Sequence, residues 1–148
     1  MRGFTLVELL LVIAIITIMA GLSIPFVQNT QLSTDLGNQA QSVISLVRRA
    51  QRQAIDGQNA IGWGVNFDNS NKIITLFAGS DFVNRDVEYD YISKIPNLVE
   101  LTTDFGDQIF FPLYSSEPTA SGTVEIVSNN QDSRKVIING YGKIESAK

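Results

Sequence analysis

The chain has no cysteine and no histidine among its 148 residues. Without cysteine there can be no disulfide framework and no thiolate metal site. Without histidine it lacks the commonest general base, the commonest metal ligand and any Ser-His-Asp arrangement. A role other than enzymatic catalysis is therefore expected. Basic residues are also in the minority: 11 Lys and Arg face 15 Asp and Glu, for a formal net charge of -4. That balance gives no general attraction for the phosphates of nucleic acid. The length suits one domain with a modest core, and no internal repeat or low-complexity segment interrupts it.

What the chain does have is an apolar N-terminal run. Leu9 to Val27 is 19 residues without a charge, enough for a helix to cross a hydrocarbon layer of about 30 Å. Arg2 is the only basic residue before it. This orients the N-terminus towards the cytoplasm and puts the chain after about residue 30 outside. A secretory signal peptide would explain the run, but Glu8 sits where such a signal is purely hydrophobic. The stretch Ala20-Gly21-Leu22-Ser23-Ile24-Pro25 also makes a poor small-x-small cleavage site. A plain anchor would leave Glu8 unexplained. An ionisable group in such a segment costs roughly 2.5–3.5 kcal/mol at a helix centre, so a partner is expected for it.

Gly3-Phe4-Thr5-Leu6-Val7-Glu8 followed by the uncharged run resembles the class III signal of type IV pilins and pseudopilins. The resemblance implies cleavage after Gly3 by a prepilin peptidase and N-methylation of the new terminus, Phe4. It also implies that Glu8 is neutralised by the terminal amine of a neighbouring subunit. A glycine at the scissile bond leaves room for close backbone approach. The leader, residues 1–3, is shorter and less basic than many related ones. Pro25 stands twenty-second counted from Phe4, where many pilins carry a helix-breaking proline. It cannot donate to the Gly21 carbonyl, and glycine is itself a poor helix former, so this turn reads as a weak spot. It could serve as a kink within the span or as a site of local melting on assembly; the two readings stand level.

Leu36, Ala40, Val43, Ile44, Val47, Ala54 and Ile55 recur at helical spacing, which predicts an amphipathic helix over Leu36 to Ile55. Gly57 is its expected stop, and Arg48, Arg49 and Arg52 are expected to form a solvated face near its end. A helix from Phe4 to Asp56 would be about 80 Å long. Beyond it, Ile61 to Phe67 and Lys72 to Ala78 flank the turn Asp68-Asn69-Ser70-Asn71 and predict a hairpin, with Trp63 a core or cross-strand aromatic. The region Gly79 to Phe105 reads as irregular, with strands near Val87 to Tyr91 and Leu98 to Thr102. Further strands are expected at Gln108 to Phe111, Thr123 to Val127 and Val136 to Asn139. Arg49 to Ile55, Gly122 to Ile126, Arg134 to Ile138 and Gly142 to Ile144 are similar, more loosely, to the H-type minor pseudopilins of type II secretion and their pilus counterparts.

Two other constellations were weighed. Asp86, Glu88 and Asp90 alternate, which on a strand sets them on one face with Val87, Tyr89 and Tyr91 on the other. Three carboxylates fall short of the six or more oxygens calcium needs, so a solvated face is favoured and no metal or other cofactor is expected. Arg134, Lys135, Lys143 and Lys148 make the C-terminal part locally basic, but the acidic total argues against nucleic acid as a partner.

The resulting expectation is an α+β, pilin-like fold, a long N-terminal helix packed on an antiparallel β-sheet head. Its parts are a leader (1–3), a hydrophobic transmembrane or filament-core helix (4–27), an amphipathic helix (28–57) and a β-rich head (58–148). The resemblance implies a structural filament subunit, first of all a minor pseudopilin of a type II secretion system. A pilin of a type IV pilus and a membrane-anchored extracytoplasmic binding module are the alternatives. Implied partners are other pilin-like subunits, prepilin peptidase, an inner-membrane assembly platform and membrane lipid. The implied location is the inner membrane, single-pass, with the head outside, and then an extracytoplasmic filament.

Overall fold

The computed structural model describes the backbone of residues 3–147, and their side chains except those of 22–33. The chain divides into two units, Met1–Thr34 and Asp35–Lys148. One helix, α1 (Leu6–Ile55), contributes to both, and eight strands follow it.

In the first unit every described residue from Gly3 to Gly21 is exposed. The side chains are aliphatic on all sides, so no amphipathic stripe exists to bury. The Thr17 hydroxyl is satisfied within the helix, donating to the Ile13 carbonyl at 2.7 Å. Among the described residues no helix is long and apolar enough to cross a membrane. The uncharged run expected to do so continues to Val27, and its last six residues have side chains outside the described set. The expected weak turn at Pro25 lies outside it as well.

In the second unit α1 buries the stripe Leu36, Ala40, Val43, Ile44, Leu46, Val47, Ala50 and Ala54. Gly57 ends it in the left-handed region (φ 63°), and the Gly57 amide donates back to the Ala54 carbonyl at 3.2 Å. Two constraints select glycine there. A side chain disfavours that φ, and a Cβ would fall 2.2 Å from the Tyr114 ring. The Tyr114 amide supplies a second donor to the Ala54 carbonyl, at 2.8 Å.

The head is antiparallel β as expected, and its strands form two four-stranded sheets. The first runs in the order β3 (Arg85–Lys94), β2 (Ile73–Gly79), β1 (Trp63–Asp68), β5 (Gln108–Phe111). The second runs β4 (Val99–Thr103), β6 (Gly122–Ser128), β7 (Ser133–Ile138), β8 (Ile144–Ala147). The predicted hairpin is β1–β2, in register Trp63↔Ala78 to Asp68↔Ile73. Asp68 closes its turn by accepting the Asn71 amide at 2.8 Å. Alternate residues of both sheets, among them Val65, Leu76, Ile109, Ile126 and Val136, join the α1 stripe in one buried cluster. Trp63 belongs to it, 2% exposed, with its indole N–H donating to the Gln58 carbonyl at 3.2 Å.

The two sheets differ in their second face. Behind the first sheet, the loop Ser80 to Asn84 covers Phe77: the Phe82 ring lies 5.5 Å from it, and the Arg85 guanidinium 3.9 Å from Phe82. The second sheet alternates buried and accessible residues, with Glu125 and Lys135 paired across strands at 3.4 Å, as a one-sided sheet does. Lys72 and Asn69 join the sheets. The Lys72 ammonium donates to the Asn69 side-chain oxygen and to the Val99 carbonyl, both at 3.0 Å, and that same Asn69 oxygen accepts the Leu101 amide.

The segment read as irregular contains the longest strand, β3, with ten residues. Its face assignment is corrected by its register. Tyr91 pairs with Leu76 and Asp86 with Ala78, so two steps on β2 answer five on β3. Cross-strand neighbours share a face, so the irregularity reverses the alternation and sets Asp86 on the side of Tyr91. Asp90 is not solvated in the manner expected either, since Arg85 holds it at 2.9 Å.

Candidate functional site

The N-terminal end is built from the helix start outward. Thr5 precedes the first helical residue, and its hydroxyl accepts the Glu8 amide at 3.3 Å, while its carbonyl accepts the Leu9 amide at 3.2 Å. Thr5 is thus the N-cap, and Glu8 is the third residue of the first turn. The spacing Thr-x-x-Glu is a capping-box pattern. It was available in the sequence, which makes Thr5 the functional residue that the motif reading passed over.

This cap determines where the other residues stand. Gly3 and Phe4 lie ahead of the helix in non-helical backbone, both exposed, with Phe4 80% accessible. A peptide bond outside a helix has no intrahelical hydrogen bond to break before an enzyme can take it in extended form. Glu8 is exposed in the first turn, where the positive end of the helix dipole favours a carboxylate. Gly3, Phe4 and Glu8 therefore stand within six consecutive residues, and Leu6, Val7, Leu9, Leu10 and Leu11 beside them are exposed. The arrangement offers an accessible bond, an exposed apolar helix and one carboxylate.

Elsewhere, Arg48, Arg49 and Arg52 are exposed on α1 as expected. Arg49 lies over the Tyr91 ring at 5.2 Å, and Arg48 donates to the Ile144 carbonyl at 3.3 Å. Among the described residues no three Asp or Glu side chains gather closely enough to hold a metal ion. Two partly accessible carboxylates are held below the ordinary carboxylate value. Asp68 is lowered first by the Asn71 side chain, and Asp81 first by the Asn84 side chain, with backbone amides adding to each.

Comparison with known proteins bears on both ends of the chain. Residues 1–24 match the prokaryotic N-terminal methylation motif. No curated protein matches the chain. Among solved structures, the minor pseudopilin EpsH from the type 2 secretion system of Vibrio cholerae superposes with a TM-score of 0.61 at 17% identity. The match covers 76% of this chain and 96% of that one. The chain therefore has the pseudopilin fold, a long N-terminal helix with an antiparallel β-sheet head.

Proposed function

We propose that this chain is a structural subunit of a type IV pilus-like filament, and specifically a minor pseudopilin of a type II secretion system. The observation that carries the reading is the N-terminal end: a methylation motif, a capped helix start with the Gly3–Phe4 bond just outside it, and Glu8 beside an uncovered apolar surface. The likeness of the head to a minor pseudopilin supports the choice of filament.

In this reading the apolar helix holds the subunit in the inner membrane with the head outside. Prepilin peptidase cuts after Gly3, the amine of Phe4 is methylated, and the assembly platform draws the subunit into the filament. Glu8 is costly in lipid alone and is neutralised by the amine of an adjoining subunit. Apolar side chains from Leu6 onward then pack against other helices instead of lipid, and the subunit's work is assembly.

Mass spectrometry of sheared, purified filaments tests this. A trace of protein beginning at methylated Phe4 is the expected result. Glu8→Leu should leave processing intact and remove the subunit from filaments. An unprocessed form beginning at Met1, or a Glu8→Leu subunit that assembles normally, would overturn the reading.

A further inference from the structure

The helix stripe of α1 carries Arg48, Arg49 and Arg52 on one exposed face. None of the three pairs with a carboxylate among the described residues, although Asp56 lines the same groove. The groove holds about 550 Å³, and Ser45, the three arginines, Gln53 and Gln58 border it. Two of the arginines are held in place, Arg49 by the half-exposed Tyr91 and Arg48 by the Ile144 carbonyl. Such preorganisation lowers the entropy lost on binding.

We propose that this stripe is a docking surface for the carboxylate-bearing head of the adjoining filament subunit; the inference rests on the filament reading above. Charge favours that occupant. Beyond Glu8 the chain has ten basic and fourteen acidic residues, so outside the stripe, which holds three arginines and Asp56, seven basic residues face thirteen acidic ones. A head with that composition elsewhere repels a polyanion such as nucleic acid. It suits a partner that brings a few carboxylates to one place. A second head of similar composition, acidic outside its own stripe, supplies them. The stripe from Gln41 to Asp56 is about 22 Å long at the helical rise, the scale of a protein edge rather than of one small anion. Arginine and tyrosine are also the residues that dominate binding at interface centres. The partner satisfies the arginines with carboxylates.

The absence of cysteine makes the test direct. Ser45→Cys, in the middle of the stripe, carries a photo-crosslinker in the full-length protein, expressed in the cells that assemble it. The expected product is an adduct to an Asp- or Glu-containing peptide from the head of another subunit bearing the methylation motif. Arg52→Glu should reduce its yield roughly tenfold or more, and Arg52→Lys should largely restore it. An adduct to nucleic acid or lipid, or none beyond the chain itself, overturns the proposal. Methylated Phe4 measured in the same samples separates the failures. Processed protein with no adduct sinks the docking surface alone, whereas unprocessed protein sinks the filament reading and the surface with it.

Discussion

At the scale of single residues, Gly142 shows how tightly the head is closed around α1. It adopts φ 77°, and a Cβ there would lie 2.0 Å from the Ser116 carbonyl oxygen and 2.3 Å from the Gln51 amide nitrogen. Gln51 donates to both the Ser116 and Gly142 carbonyls at 2.8 Å, so one helix side chain fastens two loops. Gly142→Ala should cost about 2–4 kcal/mol in urea unfolding, from strained backbone and displaced contacts. Gln51→Ala should cost about 1–3 kcal/mol, because two carbonyls lose their donor. Asp81 gives a prediction in pH. Its carboxylate accepts the amides of Val83 and Asn84, each at 2.9 Å, and the Asn84 side chain. These bonds favour the charged form and put its pKa below the ordinary 3.8. Its contribution to stability is therefore present above 3.8 and is lost as pH falls through the lower folded value. Carboxyl NMR should find Asp81 titrating below 3.8, and a titration at or above that value would contradict the loop geometry.

At the scale of elements, what was legible depended on whether an element announced itself locally. The amphipathic part of α1, its stop at Gly57 and the β1–β2 hairpin all follow from periodicity and turn residues. β5 was read at its observed bounds, Gln108–Phe111, and β6 and β7 within a few residues of theirs. β3 was placed within its bounds, at Val87 to Tyr91, but its full length and its change of face were not legible, because its register breaks between Leu76 and Ala78 of β2. The extra residues on β3 are specified by its pairing with β2, so nothing within Arg85 to Lys94 reveals them. The junction between the sheets is of the same kind. Asn69 looked like a turn residue, and it is also the acceptor for the Leu101 amide at 3.2 Å. Asn69→Ala should destabilise the head by about 1–3 kcal/mol, since that amide loses its partner. A change under about 0.5 kcal/mol in chemical denaturation would mean water replaces it.

At the scale of the whole molecule, every residue of the buried cluster comes from Leu36 to Ile144, within Asp35–Lys148. A fragment of residues 35–148 should accordingly unfold in one cooperative transition, visible as coincident curves by Trp63 fluorescence and circular dichroism. Ile126→Ala in that fragment should cost about 2–5 kcal/mol, as a core truncation does. Among the described residues the N-terminal unit contributes none to this cluster, and its exposed aliphatic side chains favour an apolar surrounding over water.

The sequence by itself determined the functional end of this protein. The methylation motif, the uncharged run and the capped start at Thr5 are local: they depend on neighbours three or four residues apart. It also determined the α+β class, because helical periodicity yields to alternation after Gly57. Only the tertiary structure decided that the strands divide into two sheets, that β3 changes face along its length, and that Arg49 meets Tyr91 beside a groove bordered by Gln53. Those features join residues far apart in the chain. Their positions follow from which strands pair and which surfaces are buried together, a choice made by the core as a whole.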